Sequence, residues 1–241
     1  MSELPILIIG GAGKTGARVN ALLRASGVPT RPVSRSTSVP FDWTRSETWP
    51  AAFAGVSMAY VTYQPDLAVE GASDAIAEVS RLARENGLKR VVLLSGRGEP
   101  GAQRAEAALQ QSGVPWTIVR ASWFDQNFSE GYLLDGVLAG EIALPAGAVP
   151  EPFIDADDIA EVVVAAGRPV HYRQIGSEEF ADGMRPHVPE EYIALLLELF
   201  TVVLDGRNSD VAHGVEQALG RPARDFADYA RRIAATGVWR A

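Results

Sequence analysis

The sequence predicts an α/β protein built on a doubly wound parallel sheet. Short continuous apolar runs, at residues 4–9 and again at 90–95 (RVVLLS), read as strands buried on both faces. Helical patterns alternate with such runs over roughly the first 120 residues, the arrangement that winds helices onto both sides of a sheet.

The elements follow in order. Residues 4–9 form the first strand. Ala17, Val19, Leu22 and Leu23 fall at helical spacing, and Gly27 ends that helix. Residues 30–34 form a second strand, weakened by Pro32. A short helix is predicted over 46–53 with Ser46 as its N-cap, a third strand over 57–62, and a helix over 66–86 closed by Gly87. The fourth strand spans 90–95, a helix 102–111, and the fifth strand 116–120. Beyond Arg120 the pattern changes. Residues 125–138 read as helix, with extended pieces near Ile142 and Phe153. Acids in the first turn mark a helix over 155–166. A strand covers 170–175, and the chain is mostly helical from Pro189, where LLLELFTVVL is too apolar to face solvent. No linker composition interrupts the chain. Residues 1–241 therefore read as one domain, with a core over about 1–120 and an interwoven, mostly helical C-terminal lobe over about 121–241.

Composition narrows the function. The 241 residues are 47% hydrophobic and 22% charged, with a net charge of −8. An acidic surface repels phosphate backbones, which argues against nucleic acid as a partner. There is no cysteine, so disulfides, thiolate catalysis and cysteine-ligated metals are excluded. The N-terminal apolar run lacks a basic flank and leads straight into glycines, unlike a signal peptide. No apolar stretch reaches the length of about 18 residues that a membrane span needs. A cytoplasmic location is the expectation.

Gly11-Ala12-Gly13-Lys14-Thr15-Gly16, preceded by Gly10, is a G-x-G-x-x-G between a buried strand and a helix. That context is what a dinucleotide pyrophosphate requires: a tight turn, close backbone approach, and free N–H groups at a helix start. The bland alternative is a glycine turn without a ligand. The fold is accordingly a Rossmann-type sheet. After the second strand stand Ser34, Arg35 and Ser36 rather than the acid that usually holds the ribose hydroxyls of NAD. An arginine flanked by hydroxyls suits a 2′-phosphate, so NADP(H) is the preferred cofactor and NAD(H) the alternative. Asp42, in Phe41-Asp42-Trp43, is either an acceptor for the adenine amino group or a turn aspartate.

These segments resemble the NmrA-like branch of the atypical short-chain dehydrogenases, and within it the ergot-alkaloid reductase group and its bacterial relatives. The resemblance is carried by IIGGAGKTG, VSRSTSVPFDW with ETWPAAFAGV, VVLLSGRGE, SGVPWTIVRASWFDQNFSEG, PFIDADDIAEVVVAA and EQALGRPARDFADYARR. It implies that Gly10 to Gly16 hold the pyrophosphate and that Arg35 and Asp42 face the adenosine half. It also implies that Thr62, Tyr63 and Gln64 lie along the cofactor and Ser95 near the nicotinamide. Ala121, Ser122 and Trp123 would pass beside nicotinamide and substrate, with Phe124 and Asn127 behind. The chain departs from the pattern twice. Ala121 stands where the family usually has proline, and after Ala166 roughly thirty residues of a further βα unit are missing. The C-terminal substrate lobe is expected to be truncated there, or completed by a second subunit in a homodimer.

The usual short-chain mechanism needs Tyr-x-x-x-Lys, in which lysine lowers the phenol's pKa for proton transfer. Four residues after Tyr60, Tyr63, Tyr132, Tyr172, Tyr192 and Tyr229 stand Gln64, Leu67, Gly136, Gly176, Leu196 and Ile233. The two lysines, Lys14 and Lys89, lie in the glycine loop and before a buried strand. Two functions stay open. One is a reductase delivering hydride to an already electrophilic iminium or quinone of a flat, polycyclic aromatic substrate, with Ser95, Trp123 and Phe124 positioning it. The other is an NmrA-type redox sensor that binds NADP(H) without turnover. Trp123, Phe124 and Phe128 are a flat slot or core. The three histidines have no metal spacing, and Asp155, Asp157 and Asp158 suit a helix N-terminus better than a metal. Glu106, on the helix where the missing lysine would sit, reads as a solvated helix face, with an alternative role in orienting a substrate amine or a water.

Overall fold

The computed structural model describes residues 4–147, 149, 152, 171–211, 213, 217, 222 and 225–239. The chain divides into two compact units, Met1–Ala121 and Ser122–Ala241.

The first unit holds strands β1 (Ile6–Ile9), β2 (Thr30–Val33), β3 (Met58–Val61), β4 (Val91–Gly96) and β5 (Trp116–Ala121). Its helices are α1 (Lys14–Ala25), α2 (Trp49–Phe53), α3 (Ala72–Glu85) and α4 (Pro100–Gln111). The five strands lie in the order β2-β1-β3-β4-β5, every neighbouring pair parallel. This is a Rossmann-like doubly wound sheet. The chain steps outward from β1 to β2, then crosses back to β3 on the other side. The reversal opens a crevice beyond the carboxyl ends of β1 and β3, where doubly wound folds bind ligands.

Leu7, Ile9, Ala59, Val61, Val91 and Leu93 alternate onto one face of the sheet. They pack there with Phe53 of α2, Ile76, Val79 and Leu82 of α3, and Ala102, Ala105 and Leu109 of α4. Each large side chain so buried contributes roughly 1.5–3 kcal/mol. The start of α4 comes in tightly: a Cβ on Gly101 would lie 2.1 Å from the Ala68 carbonyl oxygen. Pro32 is accommodated because β2 is an edge strand of this sheet, where a missing N–H need not break a ladder.

The second unit contains α5 (Asn127–Glu130), α6 (Leu134–Ala139), β6 (Glu141–Leu144), β7 (His171–Gln174), α7 (Ser177–Met184) and α8 (Glu190–Glu198). A π-helical turn over Leu199–Val203 and α9 (Phe226–Thr236) complete its described elements. β6 and β7 pair in parallel. Phe128, Val137, Ile142, Phe180, Leu196, Phe200 and Trp239 form its core, and the Trp239 indole donates to the Phe128 carbonyl at 2.8 Å. The Asp225 side chain caps α9 by accepting from the Ala227 N–H, and Gly237 ends it at φ 80°.

Three expected elements differ. The helix predicted over 66–86 begins only at Ala72. Asp66 turns the chain by accepting from the Ala68 N–H at 2.7 Å, and Gly71 enters the helix at φ +80°. The helix predicted over 46–53 is a 3₁₀ turn (Ser46–Thr48) followed by α2, and Arg45, not Ser46, holds the N-cap position. The helix predicted over 125–138 breaks into α5 and α6 because Gly131 is extended. The expectations at Phe153, over 155–166 and at the junction after Ala166 lie outside the described residues. No described helix is long and apolar enough to cross a membrane.

Candidate functional site

At the end of β1 the glycines divide the labour. Gly10 has φ +76°, and a Cβ there would lie 2.2 Å from Thr62 Oγ1. A Cβ on Gly16 would lie 2.2 Å from the Gly10 carbonyl oxygen, and one on Gly11 would lie 2.6 Å from Pro32 Cβ. These three glycines are required by packing. Gly13 is different. Its backbone is ordinary (φ −78°, ψ 171°), and the atoms nearest a Cβ there are the Gly10 oxygen at 3.2 Å and Gln64 Nε2 at 4.0 Å. The space in front of Gly13 is thus a cradle that a side chain would fill. Gly13 also starts α1, donating its own N–H to Gly10 O at 2.8 Å. The first turn of α1 carries no acid, and the N-cap has no side chain. The amides of Thr15 and Gly16 have no carbonyl one turn back within the helix, and the dipole favours an anion there. These residues fit a pyrophosphate. Ala12 is exposed and Lys14 half-buried in the same loop. The Thr15 side chain is hydrogen-bonded with Tyr60 of β3.

After β2, Thr37 organises the turn: its hydroxyl accepts from the Ser34 N–H and has the backbone oxygens of Val39, at 2.7 Å, and Ser34, at 2.9 Å, as acceptors for its one proton. Ser34 and Ser36 bring their hydroxyls within 3.3 Å, and Arg35 is exposed beside them. Asp42 accepts from the Thr44 N–H at 2.9 Å and the Thr44 hydroxyl at 2.8 Å. Those two bonds, aided by the Arg35 charge, hold its carboxyl below the ordinary carboxylate range. It is therefore a turn aspartate by geometry and an ionised acceptor by chemistry.

The FDW segment does more than the sequence conveyed. Trp43 donates from its indole to the Thr62 carbonyl at 3.1 Å, and Trp49 to the Asp42 carbonyl at 2.7 Å. Phe41, Trp43, Trp49 and Tyr63 form a contiguous aromatic cluster, with Trp43 and Tyr63 centroids 4.6 Å apart. Thr62 donates to the Ile9 carbonyl at 3.1 Å, so the ends of β1 and β3 are tied directly. Gln64 is exposed next to them. Burial pushes the Tyr60 and Tyr63 phenols above their ordinary pKa.

Glu106 corrects the expectation of a solvated helix face. It is 2% exposed. The buried Ser95 hydroxyl donates to its Oε1 at 2.6 Å, and Arg120 of β5 forks it through Nε and Nη2 at 2.9 and 2.6 Å. Burial pushes the carboxyl up, but the bonds from Arg120 and Ser95 outweigh it, and the net shift is downward. The signal was present in the sequence. Ala102, Ala105, Glu106 and Leu109 follow the i, i+3, i+4, i+7 stripe of the buried helix face, and Glu106 occupies one of its positions. Ala121 ends β5, its carbonyl accepting from the Arg97 N–H at 2.9 Å.

In the second unit Ser122, Trp123 and Phe124 are half-buried. Trp123 stacks on Phe200 at 5.0 Å and tilts toward Tyr132 at 6.4 Å, while Phe128 is core. The Tyr132 hydroxyl is buried without a hydrogen-bond partner, and burial drives its pKa far up. Burial also raises the Asp125 carboxyl to about 6, with Arg232 pulling down and Asp225 pushing up. Among the described residues no acidic or histidine cluster could hold a metal.

A glycine cradle at the switch point of a doubly wound sheet, with a polar strand end beside it, defines a dinucleotide-binding class of protein. No family model matches the chain. Its sequence is 26% identical to the NAD(P)H azoreductase of Xenophilus azovorans, over 95% of this chain and 98% of that protein. It is 25% identical to festuclavine dehydrogenase of Aspergillus fumigatus, over 95% and 97%. Both alignments exceed 241 positions, so these relatives carry residues with no counterpart here. Among solved structures, a nucleoside-diphosphate-sugar epimerase of Staphylococcus aureus superposes with TM-score 0.79 at 16% identity, covering 95% of this chain and all of that one. The NADPH-dependent quinone oxidoreductase of Escherichia coli, complexed with NADPH, gives 0.73 at 16%, covering 95% and 99%. These last two share the fold. The chain is thus similar over nearly its whole length to an NAD(P)H azoreductase and a festuclavine dehydrogenase, consistent with the NmrA-like resemblance of its sequence.

Proposed function

We propose that this protein is an NADP(H)-dependent oxidoreductase that delivers hydride to an already electrophilic carbon, in an iminium or a quinone, of a flat substrate. The observation that carries the reading is the Gly13 cradle: an open approach to bare backbone at a helix start, on a chain homologous to oxidoreductases. NADPH supplies the hydride when bound. Gly10 to Gly16 hold its pyrophosphate, and Arg35 with Ser34 and Ser36 takes the 2′-phosphate, which selects NADP(H) over NAD(H). Asp42, Thr62, Tyr63 and Gln64 line the path of the cofactor. Ser95, Ala121 and Ser122 stand near the nicotinamide, and Trp123 with Phe124 offers an aromatic wall for a polycyclic substrate.

No lysine follows any tyrosine at the mechanistic spacing, and burial raises the phenols of Tyr60, Tyr63 and Tyr132 rather than lowering them. This favours a substrate that needs no proton donor, for which proximity and orientation are the enzyme's main contribution. We place the reaction in the cytoplasm and allow for a homodimer. NADPH oxidation followed against a panel of cyclic iminium ions, quinones and ketones tests the reading. Turnover of an iminium or quinone with inert ketones supports it. Tight NADPH binding with no turnover of any of them replaces it with a redox sensor.

A further inference from the structure

We propose that Glu106 is a positioning residue that fixes Ser95 as a hydrogen-bond acceptor at the carboxyl edge of the sheet. The inference rests on the hydride-transfer reading above. Ser95 and Arg120 stand opposite each other in the β4–β5 register, and Glu106 of α4 bonds to both. Arg120 presents its Nε and Nη2 to the two carboxylate oxygens in a fork, the arrangement that matches an ionised carboxylate. An ionised carboxylate accepts only. The 2.6 Å contact therefore has one sense: Ser95 donates and Glu106 accepts. A serine hydroxyl has a single proton, so it is committed inward. Ser95 is 4% exposed and next to last in β4, so in this proposal only its oxygen lone pairs are left for a group that reaches in past the end of that strand.

A serine held this way can accept from an N–H donor. It cannot donate to an oxygen that gains negative charge. In reduction of a protonated iminium, hydride adds to carbon and the C=N π pair becomes the nitrogen lone pair, while NADPH becomes NADP⁺. No proton is consumed, and the N–H stays available to Ser95 throughout. In quinone reduction the same hydride leaves an oxyanion that takes its proton from solvent, and Ser95 gives it nothing. Glu106 thus biases the site toward nitrogen cations bearing an N–H.

The test compares wild type, Glu106→Gln and Ser95→Ala with NADPH and two probes, 3,4-dihydroisoquinolinium and 1,4-naphthoquinone. Glutamine keeps the shape but can donate its amide N–H to Ser95, which releases the serine proton. The ratio of kcat/KM for the iminium over the quinone should fall at least tenfold in both variants, with most of the iminium loss in KM. Calorimetry gives a readout apart from turnover: tetrahydroisoquinolinium binding to the NADP⁺-saturated protein should weaken at least tenfold in both variants. A merely structural role would lower both substrates together. A ratio within twofold of wild type overturns the proposal and leaves hydride transfer standing. If wild type reduces neither probe, the hydride-transfer reading falls and the proposal with it. Should Glu106→Gln fail to fold, Ser95→Ala decides, because it removes one oxygen and leaves the Glu106–Arg120 pair intact.

Discussion

Gly13→Val separates a glycine needed for binding from glycines needed for folding. A Cβ at position 13 meets the Gly10 oxygen at 3.2 Å, a few tenths of an ångström tight, and Gln64 Nε2 at an ordinary 4.0 Å, and the backbone angles suit valine. Replacing an N-cap glycine with valine adds a modest helix penalty. Together these cost about 1 kcal/mol, a fraction of a domain's stability of about 5–15 kcal/mol. Binding suffers far more. The valine side chain fills the cradle and displaces the pyrophosphate from the helix amides. Losing two charge-assisted hydrogen bonds, at roughly 1.5–3 kcal/mol each, removes at least about 3 kcal/mol, or roughly a hundredfold in affinity. Gly16→Ala is the counter-case: its Cβ would sit 2.2 Å from a backbone oxygen that cannot yield, so the fold itself should lose about 1–3 kcal/mol or more. Urea denaturation and calorimetric NADPH titration of both variants read the two effects. A folded Gly13→Val protein that binds NADPH within threefold of wild type would refute the site assignment.

Other consequences follow from single residues. Arg35→Asp should weaken NADPH by about 1.5–3 kcal/mol more than NADH, since a charge-assisted contact becomes a repulsion; equal losses in parallel titrations would show that Arg35 does not read the 2′-phosphate. Each Tyr→Phe variant should keep its single-turnover hydride transfer within tenfold of wild type, and a thousandfold loss with binding unchanged would reveal an unrecognised proton donor. Trp123→Ala should cost more than any of these, measured the same way, through loss of its stacked wall beside Phe200. Asp125 makes a pH-dependent contribution. Its folded pKa, raised to about 6, lies above the unfolded value of 3.8, so burying the charge costs stability above pH 6, and that cost disappears as pH falls toward 4. Discounted for partial solvent screening, the cost is about 1–2 kcal/mol. Asp125→Asn should therefore be more stable than wild type at pH 7 and equal to it at pH 4; an equal difference at both values in urea melts contradicts this.

The parallel sheet was legible because its strands announce themselves. Runs such as ILII and VVLLS are apolar without alternation, as strands covered on both faces must be, and the glycine turn marks where the first of them ends. The late start of α3 was not legible. Its pattern continues N-terminally through Leu67 and Val69, and only the Asp66 turn and the positive φ of Gly71 stop it. The motif itself separates Gly13, left open for the pyrophosphate, from the packing glycines, but the contacts that enforce the packing, to Thr62 and Pro32, are distant in sequence and were not legible. Glu106 was misread for the same reason. A charge on a helix ordinarily faces water, and the partners that allow its burial lie 11 and 14 residues away on two strands. The polar interruption of an apolar stripe was the available sign.

The central claim is direct hydride transfer from the bound dinucleotide to a ready electrophile, and isotopic labelling tests it most directly. NADPH carrying deuterium at both C4 positions, mixed with the enzyme and 3,4-dihydroisoquinolinium in a single turnover, should yield an amine one deuterium heavier, at a rate at least about twofold slower than with unlabelled NADPH. Saturable NADPH binding with no deuterium in the amine, and no oxidation with any quinone, would contradict the account.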